Sequence, residues 1–533
     1  MMKKIGFAAL VLTASLSAAA QDTYESARLL GSDLNGTARY VGMGGAMDAL
    51  GADISTISSN PAGIGLFRHS TASVSFGFVS QKDAPKFDGK EATTMSFDQA
   101  GFVYSNRLSR TSFVNFSFNY HKSRNFNMIL SAANALKGCS QNGLTYDKAY
   151  KRVYDFDTNR QNEAMGYNGT NEVSWAYSQS DYLNANYIMC DVNTHINDPN
   201  RHDYDKQLPW VFYYDADQYS FDRAQRGWIN NYDFNISGNV NDRFYWGLTV
   251  GVKDVNYRGY SEYAERLLDE ADKPIGGFAT GDERKIKGTG LDVTAGIIFR
   301  PVEASPFRIG LSIATPTWYD LTASNNTTIT DDEGKSYWDS SNDYDFKLFT
   351  PWKFGLSLGH TIGTQVALGA GYEFSDFSSA TNRVNKNDSY WYDGYGYSPS
   401  YTDEAMKRNT ENSLKGVHTL RAGVEYKPIP EFAVRVGYNY QSSAYEENGV
   451  RDMYIDSPGV AYSSTTDYVN WKDTHRFTCG LGVKLEQVNI DLAYQYSGTD
   501  GDFHPFQPYE GNSGVTKVSN KRHQLLLTLG YTF

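Results

Sequence analysis

Three glycines within four residues, followed by an Asn-Pro-Ala, form the most distinctive spacing in the chain. Residues 38–47 read Ala38-Arg39-Tyr40-Val41-Gly42-Met43-Gly44-Gly45-Ala46-Met47, and Ser59-Asn60-Pro61-Ala62-Gly63-Ile64 follows. Gly42, Gly44 and Gly45 permit close backbone approach and positive φ. A glycine-rich run cradles phosphate where a strand precedes it and a βαβ unit follows, and neither is readable around these glycines. Asn60 is placed to form a side-chain turn ahead of Pro61, with Ala62 next. These residues suit tight packing of backbone against a neighbour, not bond-making chemistry.

The remaining chemically able residues agree. His69, His121, His360, His418, His475 and His523 scatter near strand ends, without Ser or Asp partners at a spacing that activates a nucleophile. His195 and His202, close to Asp198 and Asp203, have metal- or haem-ligand types, but solvated loop histidines are the commoner case. No CxxC or CxxCH occurs, which removes zinc-ribbon and covalent-haem readings. Cys479 falls in an outward register, while Cys139 and Cys190 share one long loop and would be free to pair in an oxidising compartment. The expectation is no enzyme, no cofactor and no metal. A net charge of −12 argues against a nucleic-acid partner.

The elements that must position the glycine segment are strands. Leu525, Leu527, Leu529, Tyr531 and Phe533 alternate with Gln524, Thr528, Gly530 and Thr532, only Leu526 breaking the pattern. Period two gives one apolar and one polar face. A last strand ending on Phe is the usual close of a bacterial outer-membrane barrel, read by the barrel-assembly machinery. Similar runs recur at Phe244 to Val252, Leu291 to Phe299, Phe432 to Tyr440 and elsewhere, giving about fourteen strands near the ~10 residues a tilted membrane strand needs. Short and long links alternate between them, as periplasmic turns and outer loops do, and both termini then lie in the periplasm. The 40 Tyr, 29 Phe and 9 Trp suit aromatic girdles.

On the other face stand Lys253, Asp292, Arg300, Arg308, Lys353, Glu373, Arg421, Glu425, Arg435, Arg476 and Asp491, interspersed with glycines such as Gly247, Gly296, Gly369, Gly423 and Gly437. Charges there require a polar lumen, and the glycines relieve curvature or leave room for something packed inside. Residues 1–20 read as a secretory signal with a small-residue cleavage site ahead of Gln21. Residues 21–69 precede the first strand and 70–533 form the barrel, with a large outer loop at 122–226 in which 128–136 has a helical pattern.

Gly42-Met43-Gly44-Gly45-Ala46, the Asp53-Ile54-Ser55 run and Asn60-Pro61-Ala62-Gly63 resemble the N-terminal hatch of the FadL/TodX (OmpP1) family of outer-membrane transport proteins. Arg308-Ile309-Gly310-Leu311-Ser312 with Thr315-Pro316-Thr317, and Arg421-Ala422-Gly423-Val424-Glu425-Tyr426, are similar to its barrel repeats. The resemblance implies an all-β transmembrane antiparallel barrel whose lumen is plugged by the hatch, in the outer membrane of a Gram-negative bacterium. It implies uptake of hydrophobic small molecules, long-chain fatty acids or aromatic hydrocarbons, leaving sideways through the wall. Gly42, Gly44, Gly45, Asn60, Pro61 and Ala62 are then the gating residues. The end of the third strand, with His121, Arg124 and Asn125, is the candidate lateral opening, because alternation decays there. Expected partners are the hydrophobic ligand and outer-membrane lipid, with a monomer as the state. The alternative is a similar barrel acting as a type IX secretion accessory or surface-binding protein; an apolar cavity between hatch and strands discriminates the two.

Overall fold

Alternation at this density commits the chain to strands, and closing them into a ring leaves no unpaired edge. The computed structural model describes residues 22–141 and 215–533, apart from short breaks in the loops, together with a few strand fragments between 175 and 212. The signal segment and the His195 and His202 region lie outside the described residues. Fourteen wall strands follow one another: β1 Thr71–Gln81, β2 Thr93–Arg107, β3 Phe113–Asn125, β4 Ala216–Val240, β5 Phe244–Leu268, β6 Pro274–Phe299, β7 Arg308–Ala314, β8 Lys353–Ile362, β9 Val366–Asp376, β10 Gly416–Ile429, β11 Phe432–Gln441, β12 Tyr468–Leu485, β13 Val488–His504 and β14 Thr516–Thr532. Each pairs antiparallel with the next, and β1 against β14 (Thr71 opposite Thr532, Gln81 opposite Arg522) closes the ring.

The outward register carries Phe116, Phe234, Leu248, Leu356, Leu420, Val436, Leu481, Leu492 and Leu525, all exposed in the isolated chain. Such a continuous apolar girdle is what hydrocarbon requires of a barrel wall. The hydroxyls of Tyr372, Tyr438 and Tyr494 in this register each share a hydrogen bond with a ring nitrogen on the adjoining strand, of His418 (2.8 Å), His475 (2.8 Å) and His523 (2.7 Å). Half of the histidines left over by the motif search thus cap aromatics on the outer face.

Two expectations about the loops are corrected. Residues 128–136 are not a helix: Met128–Cys139 is a strand, laid along β4 from Met128 opposite Gln225 to Ala135 opposite Gln218. The 25-residue β4 presents N–H and C=O groups that need partners, and this outweighs the local helix preference of Ala and Leu. The loop expected at 122–226 is also narrower, because β3 runs to Asn125 and β4 begins at Ala216. Likewise β5 and β6 continue to Leu268 and from Pro274 as one tall hairpin. Beyond the membrane both faces of such a hairpin are wet or loop-covered, so apolar alternation fades while pairing persists.

Inside the ring lies the chain ahead of β1. It forms helix α1 (Thr23–Leu30), helix α2 (Ala38–Gly42) and two 3₁₀ turns, Ile54–Ser58 and Pro61–Leu66. Leu526, the one break in the final strand's alternation, is fully buried and packs with Ala38 and Val41 of α2 and with Ala493. The inward glycines give this segment its space. A Cβ at Gly369 would fall 1.9 Å from the Ala46 carbonyl oxygen, at Gly437 2.2 Å from the Gly44 nitrogen, and at Gly296 2.1 Å from the Asn60 Oδ1.

Candidate functional site

The lumen segment begins at the end of the barrel that bears the long loops. Asp22 caps α1, its carboxylate accepting from the backbone N–H groups of Tyr24 (2.8 Å) and Glu25 (3.1 Å). α1 is buried on nearly every side. Arg451, from the loop between β11 and β12, donates to the Asp22 carboxylate, and both are almost fully buried. Arg284 of β6 pairs with Glu25 at 2.7 Å, and Thr23 bonds Thr410 at 3.0 Å. Thr410 belongs to helix α3 (Glu404–Ser413) in the loop before β10. Outer loops thus hold the first helix from above.

Next the chain reaches the wall where the wall is incomplete. The β2–β3 ladder stops at Gln99 opposite His121. Beyond it, residues 93–97 of β2 pair only with β1, with Asp98 in a bulge, while Lys122, Arg124 and Asn125 pair only with β4, with Ser123 in a bulge. Into this fork come Asp33 and Asn35. The Asp33 N–H donates to the Ser123 carbonyl (2.8 Å), the Asn125 N–H donates to the Asp33 Oδ2 (2.8 Å), and Arg124 lies 3.4 Å from Oδ1. The Asn35 amide donates to Asp98 Oδ1 (2.9 Å) and to the Lys122 carbonyl (3.0 Å). Higher up, the Gln81 side chain both donates to and accepts from the Ile129 backbone, at 2.7 Å each way. Side chains and lumen residues replace a missing stretch of sheet. Burial pushes the Asp33 carboxyl up, but Arg124, Arg522 and the Asn125 N–H more than offset this and hold it below the usual carboxylate range.

The glycine segment then seats against β11, β12 and β14. Gly44 and Gly45 have φ of +64° and +79°, the left-handed region their lack of a side chain allows. The Ala38 N–H donates to Thr528 (2.7 Å), Thr478 donates to the Gly42 carbonyl (3.2 Å), and Asn439 donates to that of Gly44 (3.3 Å). Asn60 forms its expected turn, its Oδ1 accepting from the Ala62 N–H at 3.2 Å with Pro61 opening the 3₁₀ turn. Thr249 and Asn115 of the wall donate to the carbonyls of Ile57 and Ile64, both at 2.7 Å. Several lumen charges are paired: Arg435 bridges Glu425 and Asp491 at 2.6 Å each, Arg39 meets Glu425 at 3.1 Å, and Lys253 meets Asp292 at 2.6 Å.

The candidate residues from the sequence therefore fall in two groups. Gly42, Gly44, Gly45, Asn60, Pro61 and Ala62 line the contact with the wall, whereas His121, Arg124 and Asn125 border the fork, His121 lying 3.1 Å from Asp233. Sequence reading missed Asp33, Asn35, Gln81 and Arg451. Asp33 and Asn35 stand out locally only as polar residues among small and apolar neighbours, and Gln81 and Arg451 lie in stretches that are polar anyway. Two cavities, of about 140 and 180 Å³, flank residues 31–33 and share Asp33, Phe377, Gln441 and Arg476 in their lining. A cavity of roughly 150 Å³ accommodates a benzene ring. Among the described residues no group of three His, Cys, Asp or Glu is gathered to hold a metal ion. Cys139 is a buried free thiol, and the Cys139–Cys190 pairing falls on a residue outside the described set.

Ring closure, the apolar outer girdle and a lumen occupied by the N-terminal segment define a fourteen-stranded β-barrel of the outer-membrane type. Its fold is that of a FadL homologue from Pseudomonas aeruginosa, with 14% sequence identity, 94% of this chain and 99% of that chain covered, and a TM-score of 0.50. The toluene transporters TodX of Pseudomonas putida (11% identity, 95% and 100% covered, TM-score 0.47) and TbuX of Ralstonia pickettii (12%, 94% and 99%, 0.47) are also similar. No family model and no curated protein sequence matches the chain.

Proposed function

We propose that the protein is an outer-membrane channel for uptake of hydrophobic small molecules, with residues 21–69 as a hatch and residues 70–533 as the barrel. The observation that carries this reading is the fork. Strands β2 and β3 part above Gln99 and His121, and lumen residues Asp33 and Asn35 fill the parting. Exposed backbone in a membrane wall is tolerated only beside a polar cavity or buried in protein, and a cavity adjoins this place.

A hydrophobic solute gains little from a water-filled pore and much from continuous contact with apolar surface. In this mechanism it enters from the cell surface, occupies the cavities beside residues 31–33, and leaves sideways past His121, Arg124 and Asn125. Movement of the hatch about Gly42, Gly44, Gly45 and the Asn60-Pro61-Ala62 turn opens the way. Long-chain fatty acids or aromatic hydrocarbons are the solutes this route suits, in a Gram-negative outer membrane, with the protein as a monomer inserted through its last strand. The cavities between the lumen segment and the wall are lined by polar and charged side chains as well as by Phe126 and Trp471, so the preference for transport over a secretion-accessory role rests on the fork and not on an apolar cavity.

The test is a reversible lock. Asp33→Cys with Ser123→Cys, in a chain whose native cysteines are replaced by serine, ties the lumen segment to β3. Uptake of a labelled long-chain fatty acid or of toluene by cells expressing it should stop when oxidised and resume on reduction. Unchanged uptake in the oxidised form would overturn the lateral route.

A further inference from the structure

The larger of the two cavities is unevenly charged. Its lining includes Arg28, bonded to the Tyr257 hydroxyl (3.0 Å), Arg223, paired with Asp467 (2.6 Å), and Lys472, paired with Asp502 (3.5 Å); beside them Asp33, the one carboxylate of the described lining, stands among three arginines, Arg124, Arg476 and Arg522. All three arginines act on Asp33 through space, and Arg476 and Arg522 also feel Arg124. Only Arg124 makes an ion pair with it, at 3.4 Å. Arg476, buried, donates to the neutral amides of Asn439 (2.8 Å) and Gln441 (3.1 Å). Arg522, whose backbone pairs with Gln81 and Ser497, makes no side-chain ion pair or hydrogen bond among the described residues. Elsewhere in the lumen Arg435 and Lys253 each meet carboxylates directly. Here three guanidinium groups share one carboxylate, an excess of two positive charges, and Arg28, which makes no ion pair among the described residues, adds a third. Beside them stand Phe126 and Trp471, so one wall of the cavity is ionic and another aromatic.

Guanidinium groups recognise oxyanions with directed, charge-assisted bonds, and mutual repulsion between them is relieved by a ligand of matching charge. We infer that this cavity selects amphiphiles whose apolar body carries a doubly charged anionic head, a phosphomonoester or a geminal dicarboxylate, over neutral or singly charged ones. The inference rests on the uptake reading above and narrows its solute class. A phosphomonoester is mostly dianionic at pH 7.5, its second pKa being about 6.

The experiment uses the full-length mature protein in nanodiscs of zwitterionic lipid at pH 7.5, following tryptophan fluorescence. Five probes share one chain length: decyl phosphate, decylmalonate, decyl sulfate, decanoate and decanol. Decyl phosphate and decylmalonate should each bind about tenfold or more tightly than decyl sulfate and decanoate. Sulfate has the phosphate's shape with one charge fewer, so the ratio reads charge and not geometry; an advantage for only one of the two dianions would assign the head to that source. Arg522→Gln should lower the phosphate-to-sulfate ratio at least threefold, and Arg124→Gln provides the same reading should the first variant fail to fold. Equal affinity for phosphate and sulfate, or a ratio unchanged in both variants, overturns the inference while leaving uptake intact if decanol binds. Failure of all five probes to bind overturns the uptake reading itself.

Discussion

The lumen segment is held in two different ways at its first helix and at the fork. α1 is fixed by almost fully buried ion pairs, Arg451 with Asp22 and Arg284 with Glu25. Breaking such a pair strands a charge away from water and costs about 3–5 kcal/mol. A few residues later, the contact with β3 consists of hydrogen bonds worth roughly 0.5–1.5 kcal/mol each and a partly exposed Arg124–Asp33 pair. The chain thus joins a rigid anchor to a weak clasp. What moves first should be residues 31–35, with α1 left in place. The glycine region is a third kind of contact, set by steric fit and not by charge.

The sharpest way to break this comparison is at the anchor. Arg451→Met should lower the thermal midpoint of the protein in detergent by an amount corresponding to about 3–5 kcal/mol, and adding Asp22→Asn should restore most of it, since this removes the stranded charge and keeps a side-chain oxygen to cap α1. A single variant as stable as the parent would mean the anchor is no firmer than the clasp. The steric contact comes next. Gly437→Ala places a Cβ 2.2 Å from the Gly44 nitrogen, so the lumen segment must shift while the barrel remains. Steady single-channel conductance in planar bilayers is the expected gain, and a closed channel with unchanged stability would show the glycine fit to be dispensable. The smallest effect belongs to the clasp. Asp33→Asn removes the charge facing Arg124 and should cost about 1 kcal/mol, accelerating hydrogen exchange at the Asn125 amide roughly fivefold with little change elsewhere. Acceleration spread through α1 would mean the two regions move as one.

Strand-level features were legible because they are local. The alternation around Phe116, Leu248 and Leu525 requires only the neighbours along one strand, and the outward register in the structure agrees with it. The turn at Asn60 was legible for the same reason, since its side chain bonds a backbone group two residues on. Residues 128–139 were misread because their partner, β4, lies some ninety residues away in the chain. Asp33 and Asn35 carried no pattern at all, for their meaning comes from a ladder that fails elsewhere, at Gln99 and His121. Leu526 is the instructive middle case: the sequence displayed an anomaly, and packing against Ala38 and Val41 supplied its cause.

By itself the sequence determined that this chain builds a membrane wall of alternating strands, with a glycine-rich segment ahead of it that needs close approach. Periodicity and the absence of a β-carbon are properties of residues and their immediate neighbours. Tertiary structure alone decided where that wall parts, which side chains bridge the parting, and that Arg124, Arg476 and Arg522 converge on a single carboxylate. Those facts depend on which strands become neighbours when the ring closes, and closure brings together residues hundreds of positions apart.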